Sequence, residues 1–397
     1  MRHNILRTAT VTDEDVAPHA EARTPLETVE HQYTLDQALS FQRHILPEVS
    51  RTFALTIPQL PGDLREVVAN AYLLCRIADT IEDEVALSAA EKAHFHQCFI
   101  DVIAGQLKAE TLVGELAPKL SEATIPAEHQ LIEKLGLVVR YTHSLHQVER
   151  DALSRCVRIM CRGMGDYQRG IGLAGLGRLR DLDHYCYFVA GVVGEMLTEL
   201  FCHYLDGGGK RRAALMQLAT SFGLGLQMTN ILKDVWEDRA RGVCWWPQDI
   251  FMEQGIDLNE LERMQPSGGF RIALRKLIGV AHGHLQNALY YTQLIPRAET
   301  GIRRFCLWAI GLAVLTLQNI HHCPEYRSGQ DVKVSRRKVG KVITAVRLGV
   351  RSNTLLSAMF RWASRGLPSA QINLAELPSM WSEIANREMN LETGRSQ

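Results

Sequence analysis

Asp79-Thr80-Ile81-Glu82-Asp83 and Asp234-Val235-Trp236-Glu237-Asp238 repeat one pattern, Asp-x-x-Glu-Asp, in two distant parts of the chain. Around both, apolar residues recur at intervals of three and four, which predicts helix. Residues four apart share a helix face. Asp79 and Asp83 therefore form one acidic stripe and Asp234 and Asp238 a second. The first stripe runs back through Arg76 and Tyr72, the second through Asn230 and Gln227. Like charges at this spacing destabilise a helix by roughly 0.2–0.5 kcal/mol, and a single such pair is often only a solvated face. Here the flanks are apolar: Leu73, Leu74, Ile77 and Ala78 in the first stretch, Ile231, Leu232, Val235 and Trp236 in the second. Carboxylates set among such residues need a partner. Magnesium suits them, because it prefers carboxylate oxygen and shares its shell between protein and substrate phosphates. Calcium fits less well, since the chain lacks EF-hand loop spacing. The chemistry expected is two helices facing each other across a cavity, with Mg2+ joining their carboxylates to a diphosphate. Neutralising that leaving group lets a carbon–oxygen bond ionise to an allylic cation, which an apolar wall shields from water. Two solvated acidic faces are the alternative.

Outward from the two clusters the signal stays helical. Breaks at Pro61-Gly62, Pro118, Pro126, Gly207-Gly208-Gly209, Pro247, Pro266-Ser267-Gly268-Gly269, Pro296 and Pro324 cut residues 36 to 365 into about ten helical pieces. With no short repeat and no long linker, the expectation is an all-α fold, a single large helical bundle around a central cavity. Residues 1–35 read as a loosely ordered tail, 36–340 as the helical domain and 341–397 as a helical extension. Gly170-Ile171-Gly172-Leu173-Ala174-Gly175 matches the dinucleotide-binding G-x-G-x-x-G. It follows a helical stretch rather than a strand, so a glycine-rich helix–helix loop is the better reading.

The chain has 397 residues, with 44 Lys+Arg balanced by 44 Asp+Glu. That balance gives no support to a nucleic-acid partner, and no protein partner is inferred. The nine cysteines include no Cys-x-x-Cys pair and read as reduced thiols of a cytoplasmic protein. His321-His322-Cys323 lacks the second cluster that a metal site would need. The N-terminus has no apolar h-region of a secretory signal. The apolar runs near 186–202 and 305–318 read as buried core helices.

Three blocks resemble the squalene and phytoene synthase family. The first is Val49-Ser50-Arg51-Thr52-Phe53-Ala54-Leu55 followed by Tyr72 to Asp83. The second is Tyr185-Cys186-Tyr187-Phe188-Val189-Ala190-Gly191-Val192-Val193-Gly194. The third is Gln227 to Asp238, with Arg241-Gly242 and Trp246-Pro247-Gln248 after it. The likeness covers about residues 40–340. It implies an isoprenoid synthase bundle in which Asp79, Asp83, Asp234 and Asp238 bind Mg2+, supported by Glu82, Asn230 and Glu237. It implies substrate contacts from Ser50, Arg51 and Phe53, to which Tyr72, Gln227 and Asn230 are added. Arg76 matches a diphosphate-contacting arginine, and a guanidinium fork suits phosphate. Tyr185 matches a tyrosine linked to proton handling near the cation. A phenol of pKa about 10 is a poor base at neutral pH, and a departing diphosphate is a candidate acceptor; an aromatic core residue or a cation–π face is the other reading of Tyr185.

The resemblance leans to the squalene-forming branch. There, two farnesyl diphosphates condense head to head through presqualene diphosphate, which is then reductively rearranged with NADPH. The alternative is a relative without the reductive step, making presqualene diphosphate, dehydrosqualene or phytoene. Phe305-Cys306-Leu307-Trp308 followed by an apolar helix resembles the second-step pocket of the reductive branch, and Asp-Thr-Ile-Glu-Asp-Glu resembles that branch. So does Val332 to Lys338, whose Lys333, Arg336 and Arg337 match a segment binding NADPH phosphates; a solvated or membrane-facing basic loop is the other reading. Ala309-Ile310 in place of Pro-Gln, Lys233 in place of arginine, and no hydrophobic anchor at the end suggest a bacterial-type enzyme. Residues 339–365 mix Lys341, Arg347, Arg351, Arg361 and Arg365 with apolar residues. Such a stretch either lies on an anionic membrane surface or caps the bundle. The location expected is cytoplasmic, with peripheral contact on the inner membrane face.

Overall fold

The computed structural model describes residues 33–50, 52–168, 171–205, 211–263 and 267–378. Most of the tail expected over 1–35, and the end of the extension from 379 onward, lie outside these residues. Nine principal helices carry the argument: α1 Leu35–Val49, α2 Gly62–Asp83, α3 Gln147–Gln168, α4 Leu179–Tyr204, α5 Arg211–Lys233, α6 Gly268–Leu294, α7 Thr300–His322, α8 Arg336–Gly349 and α9 Asn353–Ala363. Shorter helices fill the intervals. Among the described residues there is no sheet, only a single parallel bridge between Leu176 and Pro247.

Local sequence explains the starts. Thr34 caps α1, accepting from the Gln37 N–H, while the Gln37 side chain accepts from the Thr34 N–H. Ser267 caps α6 by accepting the Phe270 N–H, and Ser335 caps α8 by accepting the Lys338 N–H. Along α2, Leu73, Leu74, Ile77, Ala78 and Ile81 are wholly buried, the i, i+3/i+4 pattern read from sequence. Each large apolar side chain so buried contributes about 1.5–3 kcal/mol.

The apolar helix α4 packs on α5, and the apolar helix α7 packs on both α5 and α6. Helices α4 and α7 are both long and apolar enough to cross a membrane, but 67% of each apolar window is buried against other helices. Helix α4 carries a π-turn at Tyr187–Gly191 and crosses α5 where both backbones lack side chains. A Cβ on Gly194 would sit 2.2 Å from the Ala219 carbonyl oxygen, and one on Gly223 would sit 2.2 Å from that of Ala190. Any larger residue at either position would drive the helices apart.

Two features differ from expectation. The second acidic cluster does not lie on one straight helix. The ladder continues, Asp234 N to Asn230 O at 2.8 Å and Asp238 N to Asp234 O at 2.9 Å, but Asp234 itself leaves helical geometry. The cluster thus bends from α5 into the short helix Val235–Ala240. The domain edge drawn at 340 falls inside α8. This extension is fastened by Arg303, which is fully buried on α7. Its guanidinium donates to the carbonyls of Val350 (2.7 Å), Thr292 (3.2 Å) and Ile295 (2.8 Å) and to Asn353 Oδ1 (2.6 Å). The turn between α8 and α9 is thereby tied to the end of α6 by a buried cation with a full set of acceptors.

Candidate active site

Helix α2 and the α5 bend open onto a cavity of about 700 Å3. All six acidic candidates line it: Asp79, Glu82 and Asp83 from one side, Asp234, Glu237 and Asp238 from the other. Arg76, Tyr185, Gln227 and Asn230 share its wall, so the structure brings these sequence-predicted residues together.

The charges are crowded. Burial pushes Asp79 up to about 7, with Asp83 adding to the shift and Arg76 opposing it. Burial and the neighbouring Asp83 and Asp79 hold Glu82 well above the usual carboxylate range. Asp238 rises to about 6 through burial, against the pull of Arg241, and Asp234 rises by burial against Lys233. At each of these carboxylates burial outweighs the cations nearby, and all the candidate ligand atoms are oxygens. Among the described residues no three of these groups converge closely enough to hold a metal alone. A site completed by phosphate oxygens and water is the habit of magnesium, so the residues fit that ion.

The cations are placed around them. Arg76 Nη2 donates to Tyr72 Oη at 3.1 Å, and its Nη1 lies 3.9 Å from Asp79 and 3.6 Å from Glu128. Burial works against its charge, but Asp79, Tyr72 and Glu128 outweigh this and raise its pKa. Lys233 pairs with Asp234 at 2.9 Å. Arg241 donates to Asp83 at 2.8 Å and to Asp238 at 2.6 Å, joining the two clusters. Lys92 donates to the Glu82 carbonyl. Glu237 is only partly free for a metal, since its Oε1 accepts from Ser328 Oγ (3.0 Å) and the Gly329 N–H (2.9 Å). It holds the loop that leads into the basic segment, helped by Tyr326, which donates to the Leu232 carbonyl.

Tyr185 is buried and stacked on Trp245, ring centroids 3.7 Å apart at 8°. Burial and the nearby carboxylates, Glu82 first, push its phenol well above 10, so it stays protonated. The stack depends on a loop contact. The glycine-rich segment is a helix–helix connection, as expected, and it lies along the strand of chain after the second cluster. Leu176 N donates to the Trp246 carbonyl and Cys244 N to that of Gly172. Gly175 adopts φ +85°, and a Cβ there would meet the Trp246 oxygen at 2.3 Å.

A second cavity of about 690 Å3 adjoins the first and shares Arg76, Asn230, Lys233 and Asp234 with it. Ser50, Phe53 and Tyr72 line this one. Ser50 Oγ also accepts the Phe53 N–H at 3.0 Å, and the Phe53 and Tyr72 rings lie 5.1 Å apart. Arg51 is outside the described residues. Lys333 and Arg336 reach the same cavity, whereas Arg337 is exposed and is not part of its wall. Of the block Phe305 to Trp308 and the apolar helix that follows it, Ala309, Leu312, Ala313 and Thr316 line this cavity. Phe305 backs the wall through Phe53 at 6.5 Å, and Trp308 is buried among Leu289, Val346 and Leu356.

The sequence reading did not single out Arg241, Trp245, Glu128 or Lys92 as site residues. Arg241 and Trp245 stood close after the second cluster, but nothing local marks them as facing α2 and Tyr185.

Comparison with known proteins agrees with this geometry. A family model described as squalene/phytoene synthase matches residues 46–338. Squalene synthases of Eremothecium gossypii and Candida albicans are each 29% identical to this chain, over 275 and 325 residues. Those alignments cover 69% and 81% of this chain, and 60% and 68% of the relatives, so the first spans less than two thirds of its relative's length. A solved ligand complex of TcSQS superposes with a TM-score of 0.69 at 23% identity, covering 86% of this chain and 96% of that one. A ligand complex of a dehydrosqualene synthase gives 0.58 at 20% identity, covering 80% and 98%. Both share the all-α fold. With its family match spanning most of the helical domain and both acidic clusters on one cavity, the chain belongs to the squalene/phytoene synthase family.

Proposed function

We propose that the chain is a squalene synthase, condensing two farnesyl diphosphates head to head through presqualene diphosphate and reducing that intermediate with NADPH. The observation that carries this reading is the pair of adjoining cavities with Arg76, Asn230, Lys233 and Asp234 as their common wall. Two prenyl chains can then lie side by side with their diphosphate ends near one set of polar groups. The curated relatives above, named squalene synthases, support it.

Asp79, Asp83, Asp234 and Asp238, with Glu82 beside them, would hold magnesium, which supplies charge neutralisation at the leaving diphosphate. Arg76 and Lys233 bind phosphate oxygens directly. Phe53, Tyr72 and the Tyr185–Trp245 stack offer aromatic faces to the allylic cation. The first condensation releases one diphosphate and one proton. Tyr185 remains a phenol throughout, so the released diphosphate takes that proton. The cyclopropyl intermediate then moves toward the second cavity, where Ala309, Leu312 and Ala313 leave room for it. Lys333 and Arg336 would hold the phosphates of NADPH, the source of the hydride that ends the cation.

The test is mass spectrometry of products from farnesyl diphosphate and magnesium, with and without NADPH. Squalene formed only with NADPH is expected. Dehydrosqualene or phytoene, whether or not NADPH is present, would overturn the reductive assignment.

A further inference from the structure

Residues 332–375 contain nine lysines and arginines and no aspartate or glutamate, in a chain whose charges balance only when the whole sequence is counted. All nine, Lys333 and the eight from Arg336 to Arg365, are exposed on α8, α9 and the segments beside them, and among the described residues none makes an ion pair. Lys333 and Lys338 have only neutral partners, Gln330 and Asn319. The same surface exposes large apolar groups: Leu348 at 80%, Trp362 at 79% and Leu355 at 42%.

The two helices present these groups in order. On α8, Val342, Ile343 and Val346 turn inward to Trp308 and Leu289. Arg337, Lys341, Thr344 and Leu348, at intervals of four, three and four, form the opposite stripe. On α9, Leu356 is buried, while Leu355 and Trp362, seven residues apart, share an outward face flanked by Arg361 and Arg365. Arg303 holds the turn between the helices, so the pair is presented by a rigid base.

We propose that this helix pair is a docking surface for an anionic lipid bilayer, with Leu348 and Trp362 entering the interface and the arginines resting on headgroup phosphates. Charge complementarity selects the occupant. A second copy of the chain would bring two faces of the same sign together, whereas a bilayer offers both negative charge and an apolar phase for the indole. Arg336 is exposed and also belongs to the second cavity's wall, so that cavity reaches the surface at the start of this face. The surface rests on its own charge and exposure and does not depend on the reaction assigned above.

Sedimentation of the full chain with vesicles of phosphatidylcholine, alone or with phosphatidylglycerol, tests it. Binding is expected to the anionic vesicles only, weakened by salt at about 0.5 M. Brominated lipid is expected to quench tryptophan fluorescence in the native chain and far less in Trp362→Phe. The double variant Leu348→Ser, Trp362→Ser removes only exposed groups, so its circular dichroism and turnover in detergent stay unchanged while vesicle affinity falls about tenfold or more, each 1.4 kcal/mol being a factor of ten. Equal binding to both vesicle types, or native-like binding by the double variant, would overturn the proposal. So would a native dimer that this variant converts to monomer.

Discussion

Arg241 and Asp83 meet across the first cavity, Nη1 to Oδ1 at 2.8 Å, and the other arm of the same guanidinium reaches Asp238 at 2.6 Å. One side chain thus bridges the two acidic motifs. These ion pairs are partly exposed, so they contribute little to folding, on the order of 1 kcal/mol or less. Their consequence is for binding, because a divalent ion has to take both carboxylates from the guanidinium. Arg241→Gln is expected to bind manganese, read by electron paramagnetic resonance, several-fold more tightly without diphosphate. It should bind inorganic diphosphate plus magnesium about tenfold more weakly, having lost a bidentate anion contact. Unchanged affinities in both titrations would show the bridge to be incidental.

Asp79→Asn and Asp234→Asn keep size and polarity but remove one charge from each motif. If the two motifs act together on a leaving diphosphate, either change should lower kcat by about 10²–10³-fold, the range for losing a preorganised electrostatic contact. Helical content by circular dichroism should persist, because neither side chain supports the core. Native rates in either variant would rule out the paired metal site.

The acidic stripe on α2 was legible because its signal is local: two carboxylates four apart, embedded in an apolar helix. The bundle was legible for the same reason, through apolar periods and proline breaks. What escaped the sequence depends on contacts between distant segments. Arg241 meets α2 across the cavity, 158 residues from Asp83, and Gly242 at φ +84° turns the chain directly after it. Trp245 finds Tyr185 only because Gly175 lets the preceding loop lie against Trp246. Arg303 is satisfied by backbone carbonyls at the ends of α6 and α8 and by the Asn353 side chain, none of which has a sequence signature. Which residues of the block at Phe305 to Trp308 and of the helix after it line the cavity was not legible, because an apolar helix looks alike on all faces until its neighbours are known.

His284 gives a prediction about acid. Its Nδ1 lies 2.8 Å from Ser221 Oγ in the core, and burial pushes its pKa down to about 3. In the unfolded chain the group takes its ordinary value near 6.5. Above that pH neither state holds the proton and stability is unaffected. Below it the unfolded chain gains a proton that the folded chain refuses, so stability falls as pH drops from about 6.5 toward 3. At pH 5.5 this costs about 1.4 kcal/mol. His284→Gln should therefore lose less stability than the native protein between pH 7.5 and 5.5, by about that amount, in urea melts. Identical losses would mean that the imidazole takes up its proton in the fold.

Ala309 tests whether the second cavity serves the second half of the reaction. It is 6% exposed on α7 and lines the cavity with Phe53, Leu312, Lys333 and Arg336. The first cavity holds the carboxylates and does not include it. On the proposed reaction, Ala309→Phe adds a ring to the space where the cyclopropyl intermediate and the hydride would meet, while the first cavity's wall keeps all its residues. Magnesium-dependent release of the first diphosphate should continue at a rate within a few-fold of native, while squalene formation falls about tenfold or more, the equivalent of 1.4 kcal/mol. Presqualene diphosphate should then accumulate, visible by mass spectrometry. Overpacking could also strain the helix, so the melting temperature has to be measured alongside. A folded variant in which both steps slow equally would place the two reactions in one cavity. An unchanged product ratio would remove Ala309 from the wall that matters.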